Sequence, residues 1–115
     1  TPDSSFGDSV QRKPAADVSA TFDSNDDEVS VSFFSSSNAE YVEVTFSGDV
    51  TAEGRLNEVG DSLTLGPDGL SAGGSADVVS GSDVSLQDGD TVTVKAVAHT
   101  SGGTSAVILE QTGEV

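Results

Sequence analysis

The sequence predicts an all-β fold: an antiparallel β-sandwich of about seven to eight strands, immunoglobulin-like in the broad sense. Three observations predict it. Apolar and polar residues alternate with period two in several segments. Turn residues separate those segments at spacings of roughly 8–12 residues. No segment shows the 3.6-residue apolar period of an amphipathic helix.

The elements follow in order. Residues 1–16, "TPDSSFGDSVQRKPAA", hold no sustained period and are punctuated by Pro2 and Pro14. They read as a flexible lead-in or the remnant of an N-terminal helix and linker, with a short helical turn near Asp8–Arg12. From residue 17 to residue 115 the chain reads as one sandwich domain. "VSATF" places Val18, Ala20 and Phe22 on one face, with Ser19 and Thr21 on the other. "VSVSF" does the same with Val29, Val31 and Phe33, and "VEVTF" with Val42, Val44 and Phe46. Successive side chains of a strand point to opposite faces, so this alternation describes one buried and one wet face.

The middle is less regular, with short strands expected at Ser62–Leu65 and Ala76–Ser80. "GPDG" at 66–69 is a turn, because Pro67 presets φ and Gly69 tolerates φ > 0. "DVSLQ" is expected as a short strand joined through Asp88-Gly89 to a long one, in which Val92, Val94, Ala96 and Ala98 face inward. "TSAVILEQ" is apolar on both faces around Ala106–Leu109 and is expected to be central, or covered on both sides. "TGEV" reads as a polar tail.

Composition bounds the function. Twenty Asp and Glu oppose four Lys and Arg, for a net charge of −16 over 115 residues. Such a surface repels nucleic acid and anionic membranes, so both are poor partners, and no direct membrane insertion of this segment is expected. At about 1 M salt the screening length falls to about 3 Å, so the self-repulsion of a compact −16 chain is largely removed. The composition therefore suits brine. There is no cysteine, hence no disulfide, thiolate or Cys-based zinc chemistry. No apolar run approaches the ~20 residues needed to span a membrane.

The acidic run "DSNDDEVSVSFF" raises the question of calcium. Asp23, Asn25 and Asp27 occupy the first, third and fifth places of an EF-hand-like loop. Glu28 stands where Gly belongs, however, and Phe34 where the bidentate Glu belongs. The run reads as a strand-to-strand turn, with Asp23, Asn25 and Asp27 as the sole metal candidates. His99, the one histidine, reads as a wet strand-end residue on the face of Thr91, Thr93 and Lys95. No G-x-S-x-G elbow or phosphate-cradling loop is present. No catalytic residue and no cofactor is assigned. Tyr41 and most of the five Phe are expected in the core; Phe34 is out of phase, and either packs on a second layer or is exposed.

With these segments in place, "FGDSVQRKPAADVSATFD" resembles the helix-to-head junction of haloarchaeal type IV pilins. "YVEVTFSGD" and "SLQDGDTVTVKAVAHTSGGTSAVILEQTGEV" are similar to the middle and closing strands of their heads. The resemblance implies an extracellular, cell-surface, non-enzymatic structural or adhesive head. It also implies that identical subunits assemble in a filament through an apolar N-terminal helix, which this sequence lacks, and that the head contacts surfaces or other cells. A viral capsid or tail decoration domain, or an S-layer-associated module, shares the same composition and is the alternative.

One outcome follows from charge alone. The urea unfolding midpoint should rise steadily between 0.1 and 2 M KCl at neutral pH; a midpoint that falls over that range removes the adaptation to brine.

Overall fold

The computed structural model describes residues 15–115. Residues 1–14 of the expected lead-in, with its helical turn at Asp8–Arg12 and Phe6, lie outside the described residues. Nine strands form two antiparallel sheets: β1 (Asp17–Asp23), β2 (Glu28–Ser35), β3 (Tyr41–Gly48), β4 (Ala52–Leu56), β5 (Ser62–Gly66), β6 (Gly69–Gly73), β7 (Asp77–Ser80), β8 (Thr91–His99) and β9 (Ser105–Glu114). One sheet has the order β1-β2-β5-β6 and the other β7-β4-β3-β8-β9. The sandwich expected from the sequence is therefore present, with nine strands in place of seven to eight.

The inward rows make the core. Val29, Val31 and Phe33 of β2, Leu63 and Leu65 of β5 and Leu70 of β6 face Val42, Val44 and Phe46 of β3. Leu56 of β4 and Val92, Val94, Ala96 and Ala98 of β8 complete the opposing layer. Each fully buried Val, Leu or Phe contributes about 1.5–3 kcal/mol from area removed from water. Large residues of one sheet meet small ones of the other. A Cβ at Gly54 would lie 2.7 Å from both methyls of Leu63, so glycine is what lets β4 approach β5. Gly113 of β9 lies likewise beneath the ring of Phe22.

The expected alternations of β1, β2, β3 and β8 are all present, as is the 66–69 turn, in which Gly66 pairs with Gly69 and Gly69 has φ +103°. Four expectations are corrected. β4 and β6 are not announced by the sequence, because each carries a single inward Leu, Leu56 and Leu70, among Ala and Gly where a β-branched row would announce a strand. "DVSLQ" is not a strand: Leu86 alone is buried, its N–H donating to the Gly66 carbonyl at 3.1 Å. The last strand is an edge strand, not a central one. Its doubly apolar look comes from a bulge, in which Leu109 pairs with Ala96 and Val107 with Val97, leaving Ile108 as the extra residue. The final residues are also not a loose tail. Glu114 belongs to β9, and Val115 is buried, exchanging hydrogen bonds with Gly89 (2.6 Å) and Asp90 (2.9 Å).

Asp61 is the buried charged residue among the described residues, 3% exposed. Its Oδ2 accepts the N–H groups of Asn57 and Glu58, both at 2.9 Å, and its Oδ1 accepts that of Ser75 at 2.8 Å. The carboxylate thereby ties the β4–β5 loop to the β6–β7 loop. Burial pushes its pKa up, but the N–H donors of Ser75, Glu58 and Asn57 outweigh this and hold it below the ordinary 3.8. A depressed carboxylate stabilises the fold above its unfolded pKa, and that contribution is lost as pH falls through the folded value. Asp61→Ala, which leaves the N–H groups of Asn57, Glu58 and Ser75 without their acceptor, should cost about 1–3 kcal/mol in urea unfolding at pH 7. The gap to wild type should shrink below about pH 3.8; an unchanged midpoint at pH 7 removes the tie.

Candidate functional site

The densest polar constellation is on the outer face of the five-stranded sheet, where β4, β3 and β8 run side by side. Because β3 alternates, Val42, Val44 and Phe46 go inward and Tyr41, Glu43 and Thr45 go outward. The register sets Tyr41 opposite His99 of β8, and Glu43 opposite Arg55 of β4 on one side and Val97 on the other. The Tyr41 and His99 rings stack with centroids 4.6 Å apart and planes 10° from parallel. The Arg55 guanidinium lies 4.6 Å from the Tyr41 centroid. Cation–π attraction of this type contributes about 0.5–1 kcal/mol at exposed sites. The Arg55 Nε is buried and has no hydrogen-bond acceptor among the described residues.

His99 Nε2 is 3.2 Å from Glu43 Oε1, with the two side chains 23% and 34% exposed. On its other side Glu43 meets Glu53 of β4. A side-chain hydrogen bond to Glu43 raises the Glu53 pKa above the ordinary 4.5; burial and the Glu43 charge add to this, and Arg55 opposes it. The constellation is therefore a chain of contacts, Glu53–Glu43–His99–Tyr41–Arg55, built on rigid strands. Both partners of the Tyr41 ring come from within the sheet.

His99 is thus not simply wet, as its place at a strand end suggested, but held from two sides. It does share a face with Thr93 and Lys95, as expected. Tyr41, expected in the core, is half-buried on the outer face. It starts β3 on the phase opposite to Val42, so its ring covers the sheet's outside. Phe34 takes the exposed alternative, at 64%. The stack is not legible in the sequence, since Tyr41 and His99 stand 58 residues apart, and the Glu53–Glu43 contact is not legible because β4 carries no alternation that announces a strand.

The metal candidates lie at the opposite end of the sandwich. Asp23 Oδ1 accepts the N–H groups of Asn25 (2.9 Å) and Asp26 (3.3 Å), closing the β1–β2 turn. Asp27, with φ +54°, is directed to Asp88 in the turn before β8. Burial, the charges of Asp88 and Asp26, a side-chain hydrogen bond to Asp88 and the charge of Asp23 together raise the Asp27 pKa. The structure thus brings Asp27 to Asp88 and commits Asp23 to its own turn. Among the described residues no group of three or more His, Cys, Asp or Glu is disposed to hold a metal ion. That end also gathers Asp26, Glu28, Asp49, Asp68, Asp83, Asp90 and Glu114, while Arg55 and His99 lie nearer the end where β1 begins, together with Asp17, Glu40, Glu58, Asp61 and Asp77, and Lys95 is midway along β8. No helix among the described residues is long and apolar enough to cross a membrane.

Together these features define an antiparallel β-sandwich domain with an aromatic–imidazole–carboxylate cluster on one sheet and a carboxylate-rich loop end. Comparison with known protein families, curated protein sequences and solved structures finds no match.

A raised carboxyl pKa weakens the fold once pH passes the ordinary carboxyl value, because the stabilised form is the protonated one. Glu53→Gln should therefore raise the urea midpoint at pH 7 and leave it nearly unchanged at pH 4, at constant salt. In a Glu43→Gln background the gain at pH 7 should largely vanish. An equal effect of Glu53→Gln in both backgrounds disproves the contact.

Proposed function

We propose that this chain is a non-enzymatic, extracellular structural or adhesive domain, the head of an archaeal type IV pilin-like filament subunit adapted to high salt. The observation that carries the reading is the meeting of β1 and β9. These strands hold two of the segments that resemble pilin heads, "DVSATFD" and "SAVILEQTGE", and they pack against each other with the Phe22 ring over Gly113. The opening and closing strands thus belong to one rigid unit, as a head that follows a linker requires. The surface agrees with the environment: apart from Asp61 the carboxylates of the described residues are at least partly exposed, where they hold water in brine. In this reading identical subunits join through an apolar helix and the sandwich coats the fibre, contacting surfaces or other cells.

Immunogold electron microscopy with antibody raised against this domain, on cells of the source organism grown in high salt, tests it. Label should follow thin surface filaments, and deletion of the gene should remove those filaments or their attachment to surfaces. Label confined to the S-layer or to virus particles would replace the filament reading with that of a surface or decoration module.

A further inference from the structure

We propose that two copies of this chain join edge to edge through β1, in an antiparallel pairing centred on Ala20 that high salt permits and low salt prevents. The inference goes beyond the filament reading and does not depend on it.

The two sides of the sandwich are closed differently. On one side the chain crosses from β6 to β7, and the Leu70 N–H donates to the Gly81 carbonyl at 3.0 Å, so backbone seals the gap. On the other side β1 and β9 are both sheet edges, and side chains such as Phe22 span the gap. The β9 edge is interrupted by the bulge at Ile108. Bulges and charges are the usual guards of an edge against pairing with another chain. In β1 these guards stand only at the ends: a register shift between Asp17 and Val18, and the charges of Asp17 and Asp23, with none between them. Among the described residues it has a hydrogen-bonded neighbour on one side only, β2, and its register is regular from Val18 to Asp23. Its inward row of Val18, Ala20 and Phe22 is only partly buried, whereas the matching row of β2 is 0–1% exposed.

The order of residues in β1 names the occupant. "DVSATFD" reads the same in chemical type from either end: Asp, apolar, hydroxyl, Ala, hydroxyl, apolar, Asp. Antiparallel pairing about Ala20 sets Val18 against Phe22 of the other copy, Ser19 against Thr21 and Ala20 against Ala20. These are apolar–aromatic and hydroxyl pairs that stabilise a ladder. The same two-fold axis sets Asp17 against Asp23 at both ends. Like charges directly opposite one another destabilise a pair. Cross-strand neighbours are about 4.5–5.5 Å apart, and at about 1 M salt the screening length of about 3 Å is shorter than that. The aspartates therefore act as a gate: repulsive in dilute buffer, silent in brine. When the gate is open, the two four-stranded sheets become one continuous sheet, and added main-chain hydrogen bonds supply the affinity.

Sedimentation equilibrium of the 115-residue chain at 0.2 and 3 M KCl reads the proposal directly. A monomer at low salt and a monomer–dimer equilibrium at high salt are expected. Asp17→Asn/Asp23→Asn, in which Asn at 23 still accepts the turn N–H groups, should tighten dimerisation at 0.2 M by about tenfold or more, from two removed like-charge pairs. Because the chain has no cysteine, Ala20→Cys should cross-link to itself under oxidising conditions at 3 M KCl, while Ser85→Cys, at the far end, should not. A monomer at every salt concentration overturns the proposal. So does a dimer indifferent to the aspartate changes, or one that Ala20→Cys fails to trap while its circular dichroism matches wild type.

Discussion

Everything in this domain hangs on the interlock between the two inward rows. β2 and β5 send Val29, Val31, Phe33, Leu63 and Leu65 into the gap, and β3 and β8 answer with Val42, Val44, Phe46, Val92 and Val94. Two fully occupied rows would hold the sheets too far apart. Gly54, Ala52, Ala96 and Ala98 make the room, and the methyls of Leu63 fill the space a Cβ at Gly54 would need. Protein interiors are packed to the density of organic crystals, so such complementarity fixes how the sheets lie on one another. Once that is fixed, every outward side chain has its position.

The outer cluster is a consequence of this constraint. A one-residue slip in a strand sends its whole set of side chains to the opposite face. The register that buries Val42 and Ala98 therefore also stacks Tyr41 on His99 and places Glu43 within reach of His99 and Glu53. Asp61 holds the loops that cap one end of this arrangement with three backbone donors. Its burial is tolerable because a carboxylate accepting several N–H groups replaces the hydration it has lost. The domain thus uses its carboxylates in two ways: Asp61 as a buried fastening, and the rest as an exterior that is hydrated and, at turns such as that of Asp23, hydrogen-bonded to its own backbone.

How much of this the sequence disclosed depended on distance along the chain. β1, β2, β3 and β8 were legible because alternation is local and each strand carries its own Val and Phe. β4 and β6 are hidden because each carries only one large inward residue, Leu56 and Leu70, among small ones, and the role of Gly54 is defined only by Leu63 on another strand. The sequence of β9 reads as a central strand because Ile108, the bulged residue, makes a run of apolar residues look two-sided. The candidate site was the least legible part. The residues of the Asp23–Asp27 run stood out as neighbours in sequence, yet Asp27 meets Asp88, more than 60 positions away. The stack of Tyr41 on His99 requires the β3–β8 pairing, which no local pattern announces.

The gathering of Asp26, Asp27, Asp49, Asp68, Asp83, Asp88 and Asp90 at the turns remote from the start of β1 outnumbers the Asp17, Glu40, Glu58, Asp61 and Asp77 of the other end, where Arg55 and His99 also lie, so the molecule is electrically lopsided. Beside a negatively charged wall a body of this kind experiences a torque as well as a push. Its lowest-energy attitude is upright, with the carboxylate tip turned outward and the start of β1 turned toward the wall, so the domain orients itself before any specific contact forms.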